Sequence, residues 1–196
     1  MYDGFLYAAK EVLGTKVKII IDRFHVAKLY RKGLDTLRKQ ELRRLKHELS
    51  EEAYKPLHGV MWILRKTADD LTAEDKATLD LLFAYSPQLK VAYALCKALT
   101  ETFESHKTKR QAKYALKSWI KQVQTSTVHC FDTFIKTLAR WLDEIANYFL
   151  DRQTSGFVEG LNNKIKVVKR RCYGILNVKH LFQRIHLDLS GYALFS

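Results

Sequence analysis

The sequence is poor in the residues that interrupt helices and in those that cross-link chains. It has 2 prolines and 8 glycines in 196 residues, which argues against long disordered linkers and against most β-sandwiches. Its 3 cysteines are widely spaced and predict neither a disulfide framework nor a cysteine-rich metal site, so we expect a reducing, intracellular compartment. No apolar run approaches the roughly 20 residues of a membrane span, and no signal peptide is recognisable.

Positive charge is what the sequence has in excess, and it is unevenly placed. There are 34 Lys and Arg against 21 Asp and Glu, a formal charge of +13. Residues 48–104 are mildly acidic, whereas residues 23–47 have 9 basic and 2 acidic residues and residues 160–187 have 7 basic and none acidic. Solvated helix faces usually mix both signs, so these zones predict a surface that binds a polyanion such as nucleic acid. The alternative is a basic protein without such a surface.

Most of the chain has the apolar periodicity of amphipathic helices. We predict helices over residues 4–13, 25–49, 57–68 and 128–149. Further helix starts are indicated by capping residues, namely Thr72 with Asp75 three residues on, Ser86 before Pro87, and Thr108 with Gln111 three residues on.

Several aromatic residues on these helices are predicted to lie in the core. Tyr114 is placed inward together with Trp119 on the helix that follows Thr108. Trp62, Trp119 and Trp141 have apolar neighbours at helical spacing, which favours core positions over platforms that stack on bases.

Residues 17–22, VKIIID, differ from the helical remainder. A run of β-branched residues that ends in an acid predicts one buried strand of an α/β fold. One strand cannot form a sheet by itself. We therefore expect either that it pairs with another chain or that the other strands lie upstream of Met1.

The first candidate for chemistry is the segment DRFHV, residues 22–26. Asp22 ends the predicted strand, which is where α/β folds place reactive groups, and His25 follows at the next turn. The alternative, favoured from these residues alone, is that Asp22 caps the following helix.

The second candidate lies near the C-terminus, in a predicted helix. Glu159, Asn163, Lys166 and Arg170 follow one another at i, i+4, i+7 and i+11, so they share a helix face. A carboxylate oxygen is the ligand type that Mg²⁺ and Mn²⁺ prefer, and the cations could hold DNA phosphates. Gly160 is costly inside a helix and could let a ligand approach closely. The alternative is an ordinary surface helix whose acid pairs with a nearby base.

Both candidates belong to stretches that resemble a known family. IIIDRFHVAKLYRKGLDTLRK, residues 19–39, and TSGFVEGLNNKIKVVKRRCYGILN, residues 154–177, resemble DDE transposases of bacterial insertion sequences, in the ISL3 branch. The second stretch follows that branch's signature, TNG-x-x-EG-x-NNKIK-x-x-KR-x-x-YG, and LFQRIHL follows it in the same order. The resemblance covers essentially the whole chain.

The resemblance implies a fold and a division of the chain. Members have an α/β, ribonuclease-H-like core that is interrupted by a large helical insertion before the last catalytic acid. Residues 1–50 would be part of that core, with the strand and its following helix. Residues 51–150 would be the insertion, and residues 151–196 would be the C-terminal core helices. This chain would then be mostly helical, with a partial core.

The resemblance also implies a chemistry. Members cut DNA at transposon ends and join the freed 3′-OH to target DNA, with three carboxylates that hold two Mg²⁺ or Mn²⁺ ions. Glu159 matches the last of these acids and is expected to be catalytic and metal-binding. Asp22 and His25 match an element expected to support the site. The residues expected to bind DNA are Asn163, Lys164, Lys166, Lys169, Arg170 and Arg171.

The sequence departs from the family pattern at its beginning. In relatives the second catalytic Asp would fall just before Met1, and the first Asp and a DNA-binding region would lie further upstream. We therefore expect a C-terminal fragment that is inactive alone, and the alternative is a DNA-binding or transposase-interacting helical remnant without catalysis. Expected partners are transposon-end and target DNA, a full-length transposase or a second copy, and no membrane. The expected location is the bacterial cytoplasm, at the nucleoid.

Overall fold

The computed structural model describes residues 3–14, 17–152 and 154–195. These residues fall into two compact units, Met1–Gln153 and Thr154–Ser196. Among the described helices, none has the length and apolar character needed to cross a membrane. The first unit contains α1 (Asp3–Leu13), α2 (Arg23–Glu48), α3 (Glu51–Tyr54), a 3₁₀ turn (Lys55–Leu57), α4 (Val60–Ile63), α5 (Ala73–Tyr85), α6 (Pro87–Glu104), α7 (Lys109–Thr125), α8 (Asp132–Arg140), α9 (Leu142–Ala146) and α10 (Tyr148–Asp151). The second contains α11 (Gly156–Arg171) and α12 (Val178–Phe195).

The helix starts predicted from capping residues are confirmed. Thr72 accepts from the Asp75 amide at 3.2 Å, and the Asp75 carboxylate accepts from the Thr72 amide at 3.0 Å. Thr108 and Gln111 form the same reciprocal pair at the start of α7. Ser86 caps α6 by accepting from the Leu89 amide at 3.3 Å. Each cap satisfies amides that the helix itself leaves unpaired.

The core of the first unit lies where α2, α6 and α7 pack together. Trp119 of α7 meets Phe131 and Phe134 edge to face, with ring centroids 5.5 and 5.6 Å apart. Its indole N–H donates to the Leu95 carbonyl at 2.8 Å, so a buried polar group is satisfied. Gly33 of α2 lets the chain before α8 approach closely, because a Cβ there would lie 2.5 Å from the Cys130 carbonyl oxygen.

The strand predicted over residues 17–22 is not confirmed. Residues 17–22 have no regular secondary structure, and the described part of the chain contains no strand with which they could pair. The segment is instead tied to the far end of the unit. The Ile21 amide donates to the Glu144 carbonyl at 3.1 Å, and Asn147 Nδ2 donates to the Ile19 carbonyl at 2.8 Å. A β-branched run alone does not make a strand, and the ribonuclease-H-like core stays a prediction.

Two of the predicted helices are not continuous in the structure, which has shorter helices in the same ranges. The predicted helix over residues 128–149 is divided among α8, α9 and the start of α10, and the backbone of Trp141, at φ −109° and ψ 24°, leaves the helical region between α8 and α9. The helix predicted over residues 57–68 is limited to Val60–Ile63, and Thr67 donates to Asp70 at 2.6 Å in the turn that follows.

Two core predictions are wrong. Tyr114 is 78% exposed and Trp62 is 63% exposed, whereas Trp119 and Trp141 are buried as expected. On α7 the buried residues are Ala112, Leu116, Trp119 and Val123, so the predicted Trp119 lies on the buried face and Tyr114 lies off it.

The second unit consists of two helices and the turn between them. The turn uses left-handed backbone at Tyr173 and Gly174, with φ of 50° and 82°, and the Gly174 amide donates to the Lys169 carbonyl at 2.8 Å. Asn177 then accepts from the His180 amide at 3.2 Å at the start of α12. Val168 is the one apolar side chain that is described as buried in this unit.

Candidate nucleic-acid interface

The first turn of α11 holds the candidate catalytic carboxylate. Ser155 Oγ donates to Glu159 Oε1 at 2.9 Å, and the Glu159 amide donates to the Ser155 carbonyl at 2.8 Å. The exposed amides of a helix N-terminus favour a negative charge in the first turn. The carboxylate of Glu159 is therefore oriented by its own helix and remains accessible, because the residue is exposed.

The face predicted from the spacing is open to solvent. Glu159, Asn163, Lys166 and Arg170 are all exposed along α11. The last turn of the helix carries Lys169, Arg170 and Arg171, and each of them is exposed. We call the set Glu159, Asn163, Lys166 and Arg170 the α11 face. It combines one carboxylate, one amide and two cations, and the amide and the cations suit contact with a phosphodiester backbone.

Lys164 differs from the other predicted DNA-binding residues. It is partly buried, and its Nζ lies 3.1 Å from Asp188 Oδ2 and donates to the Asp188 carbonyl at 3.1 Å. These contacts join α11 to α12. Its positive charge is thus already opposed by a carboxylate, and its predicted role in DNA binding remains a prediction.

Gly160, directly after Glu159, has open space around it. A Cβ built there meets no atom within 4 Å, in contrast to Gly33, where the chain itself fills that space. Glycine inside a helix costs about 1 kcal/mol relative to alanine. No contact in the described part of the chain offsets that cost at Gly160.

Asp22 and His25 lie in the first unit. Asp22 is 6% exposed, and its Oδ1 accepts from the Phe24 amide at 2.8 Å, which caps α2. The helix-cap alternative is therefore correct for Asp22. His25 is exposed one turn into α2, and its amide donates to the Asp22 carbonyl at 3.1 Å. Glu159 belongs to the other unit, and the support of a catalytic site by Asp22 and His25 stays a prediction.

The described residues do not by themselves form a metal site. Among them, no group of three or more His, Cys, Asp or Glu side chains could hold a metal ion. Glu159 supplies one carboxylate donor of the kind that Mg²⁺ accepts. The divalent ions of the family chemistry therefore do not fit the described residues alone.

Two cysteines are excluded as nucleophiles. Burial raises the pKa of Cys96 to about 11 and that of Cys130 to about 12. Because the thiolate is the reactive form, both thiols are protonated and unreactive at neutral pH.

Sequence reasoning missed an exposed row of side chains on α7. Because Tyr114 was predicted to lie in the core, its helix neighbours Arg110 and Lys117 were not recognised as sharing an exposed face with it. Tyr114 is in fact exposed, and so are both neighbours. The available signal was charge, since Lys109–Thr125 contains five basic residues and no acidic one.

Comparisons with known proteins match this sequence to a family. A family model described as Transposase, of the ISL3 type, matches residues 1–185. The transposase for insertion sequence element IS1001 of Bordetella parapertussis is 28% identical over 179 residues. The transposase for insertion sequence element IS1557 of Mycobacterium tuberculosis is 26% identical over 141 residues. No solved structure matches the chain.

The chain is shorter than these relatives. The first match covers 91% of this chain and 43% of the Bordetella protein. The second covers 72% of this chain and 31% of the Mycobacterium protein. The chain thus spans less than half the length of the curated relatives it matches.

Proposed function

Because the chain belongs to the ISL3 family of transposases, we propose that it acts in DNA transposition and binds DNA through α11. In the complete family enzyme the activity is metal-dependent cleavage of transposon ends and strand transfer to target DNA. The α11 face is the observation that carries the proposal. It places Lys166 and Arg170 in solvent on the same side as Glu159.

The charges on α11 favour phosphate contacts. Lys166, Lys169, Arg170 and Arg171 are exposed and lie within the last two turns of the helix. Each phosphate that such a cation neutralises releases condensed counterions, so the affinity for DNA falls steeply as salt rises. Asn163, one turn before Lys166, adds an amide that can hydrogen-bond a phosphate or a base edge.

Glu159 has a separate role in this proposal. It is the accessible carboxylate on the α11 face and corresponds to the last acid of the family pattern. In the complete family enzyme, Glu159 would be one of the carboxylate ligands of Mg²⁺ or Mn²⁺, and the remaining ligands would have to come from residues other than those described. Asp22 fixes the start of α2 and thereby the position of His25, which is the supporting role we propose for the pair.

The binding proposal is tested by fluorescence anisotropy with labelled duplex DNA that carries an insertion-sequence end. The double variant Lys166→Gln with Arg170→Gln removes two cations from the α11 face. We expect weaker binding and a salt dependence reduced by about 2 in slope, since each lost phosphate contact contributes about 0.9. Lys55→Gln with Lys90→Gln is the matched control, because both lysines are exposed and lie in the mildly acidic segment. Equal effects of the two double variants would contradict the proposal.

A second candidate function is DNA binding without catalysis. The exposed cations of α11 suffice for it, whereas one family carboxylate does not hold two metal ions. We expect no Mg²⁺- or Mn²⁺-dependent nicking of insertion-sequence ends by the isolated chain. Nicking that Glu159→Gln abolishes would instead establish catalysis by this chain.

A third possibility is that the chain docks onto a longer transposase or onto a second copy. Co-purification of differently tagged chains, with and without DNA, distinguishes such docking from DNA binding alone.

A further inference from the structure

The first unit has a basic surface of its own, on α7. Arg110, Tyr114, Lys117 and Lys121 follow one another at i, i+4, i+7 and i+11, and all four are exposed. We call this set the α7 stripe. The whole of Lys109–Thr125 carries five basic residues and no acidic one.

The cations of the α7 stripe lie outside the ion pairs of the described residues, although Lys117 is near enough to Asp143 to help Lys113 lower the pKa of that carboxyl. Lys113, beside the stripe, pairs with Asp143 at 2.6 Å. Within the described ranges, Arg110, Lys117 and Lys121 form no ion pair. On α2, by contrast, Arg38 and Lys39 share Asp35, and Arg44 pairs with Glu41 and Glu48. These pairs involve three of the nine basic residues of α2, so that helix opposes part of its own positive charge, whereas α7 contains no acidic residue.

Tyr114 does not contribute to the core of the first unit. Its side chain is 78% exposed, while the opposite face of α7 supplies Leu116 and Trp119 to the core. The ring lies between Arg110 one turn before it and Lys117 one turn after it. Arg110 and Tyr114 also line an open groove of about 690 Å³, together with His106 and Lys107.

We propose that the α7 stripe is a second DNA-binding surface, with its three cations on phosphates of one strand and Tyr114 stacked on an unpaired base beside them. The inference rests on the proposed function and adds a second contact with the same class of substrate. An exposed aromatic ring among unpaired cations is the pattern of single-strand binding, since a ring stacks on any base while the charges follow the backbone.

The length of the stripe agrees with such a contact. From Arg110 to Lys121 the helix rises about 16 Å, at 1.5 Å per residue. That distance spans about five phosphates of one strand in a duplex, at 3.4 Å each. Three cations along it are therefore in reach of phosphates on a single strand.

The test compares two triple variants of the full chain. Arg110→Gln, Lys117→Gln and Lys121→Gln remove the cations of the stripe. Lys55→Gln, Lys76→Gln and Lys90→Gln remove the same charge from exposed positions in the acidic segment. In anisotropy titrations we expect the first triple to bind DNA about tenfold more weakly and to lower the salt slope by about 3. The control triple variant should change the affinity and the salt slope much less. The far-ultraviolet circular dichroism spectra of the two triple variants should match that of wild type.

Tyr114 is tested with a blunt duplex and with the same duplex carrying a short single-stranded overhang. Tyr114→Leu should weaken binding to the overhang DNA about tenfold and leave the blunt duplex unchanged, whereas Tyr114→Phe should bind both like wild type. An equal loss on both probes, or no loss on the overhang, would overturn the stacking contact.

The outcomes separate the two proposals. If the stripe triple binds like the control triple while the α11 double variant is impaired, the inference about α7 is wrong and the proposed function stands. If the stripe triple is impaired and the α11 variant is not, the α7 surface stands and the α11 interface is wrong. If wild type fails to bind DNA at low salt, both are wrong.

Discussion

The two units differ in how they treat their apolar side chains. The first unit buries residues such as Leu99, Leu138 and Ile145 completely, in one continuous core. The second unit buries Val168 among its described side chains and exposes many others. The exposed ones are Val158, Val167, Tyr173, Leu176, Val178, Phe182, Leu187 and Leu189. Two helices can face each other along one stripe, whereas a closed core needs further elements around it.

The comparison teaches where stability resides. The first unit is held by packing, which is the dominant favourable contribution to folding. The second is held by the intrinsic stability of its helices, the turn at Gly174 and the Lys164–Asp188 pair, and each of these is weak alone. We therefore expect the unit that contains the proposed catalytic carboxylate to be less stable than the unit that contains the α7 stripe.

The largest expected effect is in the first core. Leu138→Ala removes a fully buried side chain and should lower the free energy of unfolding by about 2–5 kcal/mol. Val168→Ala should have a much smaller effect, because so little surrounds it. All three tryptophans belong to the first unit, so tryptophan fluorescence during urea unfolding reports on that unit alone. Circular dichroism reports on both units. If the two probes gave coincident unfolding transitions in wild type, the expected difference in stability between the units would be contradicted.

The two glycines inside helices should respond in opposite directions. Gly33→Ala forces a Cβ against the Cys130 carbonyl and should destabilise the first unit by about 1–3 kcal/mol. Gly160→Ala enters open space and should stabilise α11 by up to about 1 kcal/mol. Thermal melts of both variants measure this. A loss of stability in both would mean that the space beside Gly160 is already filled by protein.

A helix cap provides a smaller effect of known origin. Thr72→Ala removes the acceptor for the Asp75 amide and should cost about 1 kcal/mol. Thr72→Ser keeps the oxygen and serves as the control. Urea midpoints followed by tryptophan fluorescence measure both variants, and an equal loss in the serine variant would show that the methyl group, not the cap, matters.

The smallest predicted effect concerns pH. The Lys66 ammonium, 2.6 Å from the Asp75 carboxylate, lowers the pKa of Asp75, and the Thr72 amide lowers it further. The unfolded chain then binds this proton more readily than the folded one. Above the ordinary aspartate pKa of about 3.9 the contribution to stability is complete, and it is lost as pH falls through the lower folded value. Urea unfolding from pH 6 to 2 should show this loss in wild type and less of it in Asp75→Asn.

Local signals made much of the first unit predictable. Thr72, Ser86 and Thr108 cap the helices they were expected to cap, because a cap depends on residues within one turn. The α11 face was predictable for the same reason, since its four positions lie on one short helix and helical spacing fixes their common side.

What sequence reasoning missed depends on distant partners. Residues 17–22 have the composition of a strand, yet the segment is fixed by hydrogen bonds to Glu144 and Asn147, which no local pattern reveals. Whether Tyr114 or Leu116 faces inward is likewise decided by what packs against α7. The position of Glu159 relative to other carboxylates also depends on distant partners. The spacing of Glu159, Asn163, Lys166 and Arg170 along α11 does not determine that position.

The hydrogen bonds that tie residues 17–22 to the end of the first unit also set an order of events during synthesis. Asn147 donates to Ile19 across 128 residues of chain. A ribosome adds about 5–20 residues per second, so Ile19 waits roughly 6–26 seconds before that partner exists. The helices between them can form as they emerge from the ribosome. The hydrogen bond between Asn147 and Ile19 forms only after them, and its formation must offset the entropy lost in closing a very long loop. Ile19 and Ile21 thus remain without these partners until the last helices of the first unit have been made.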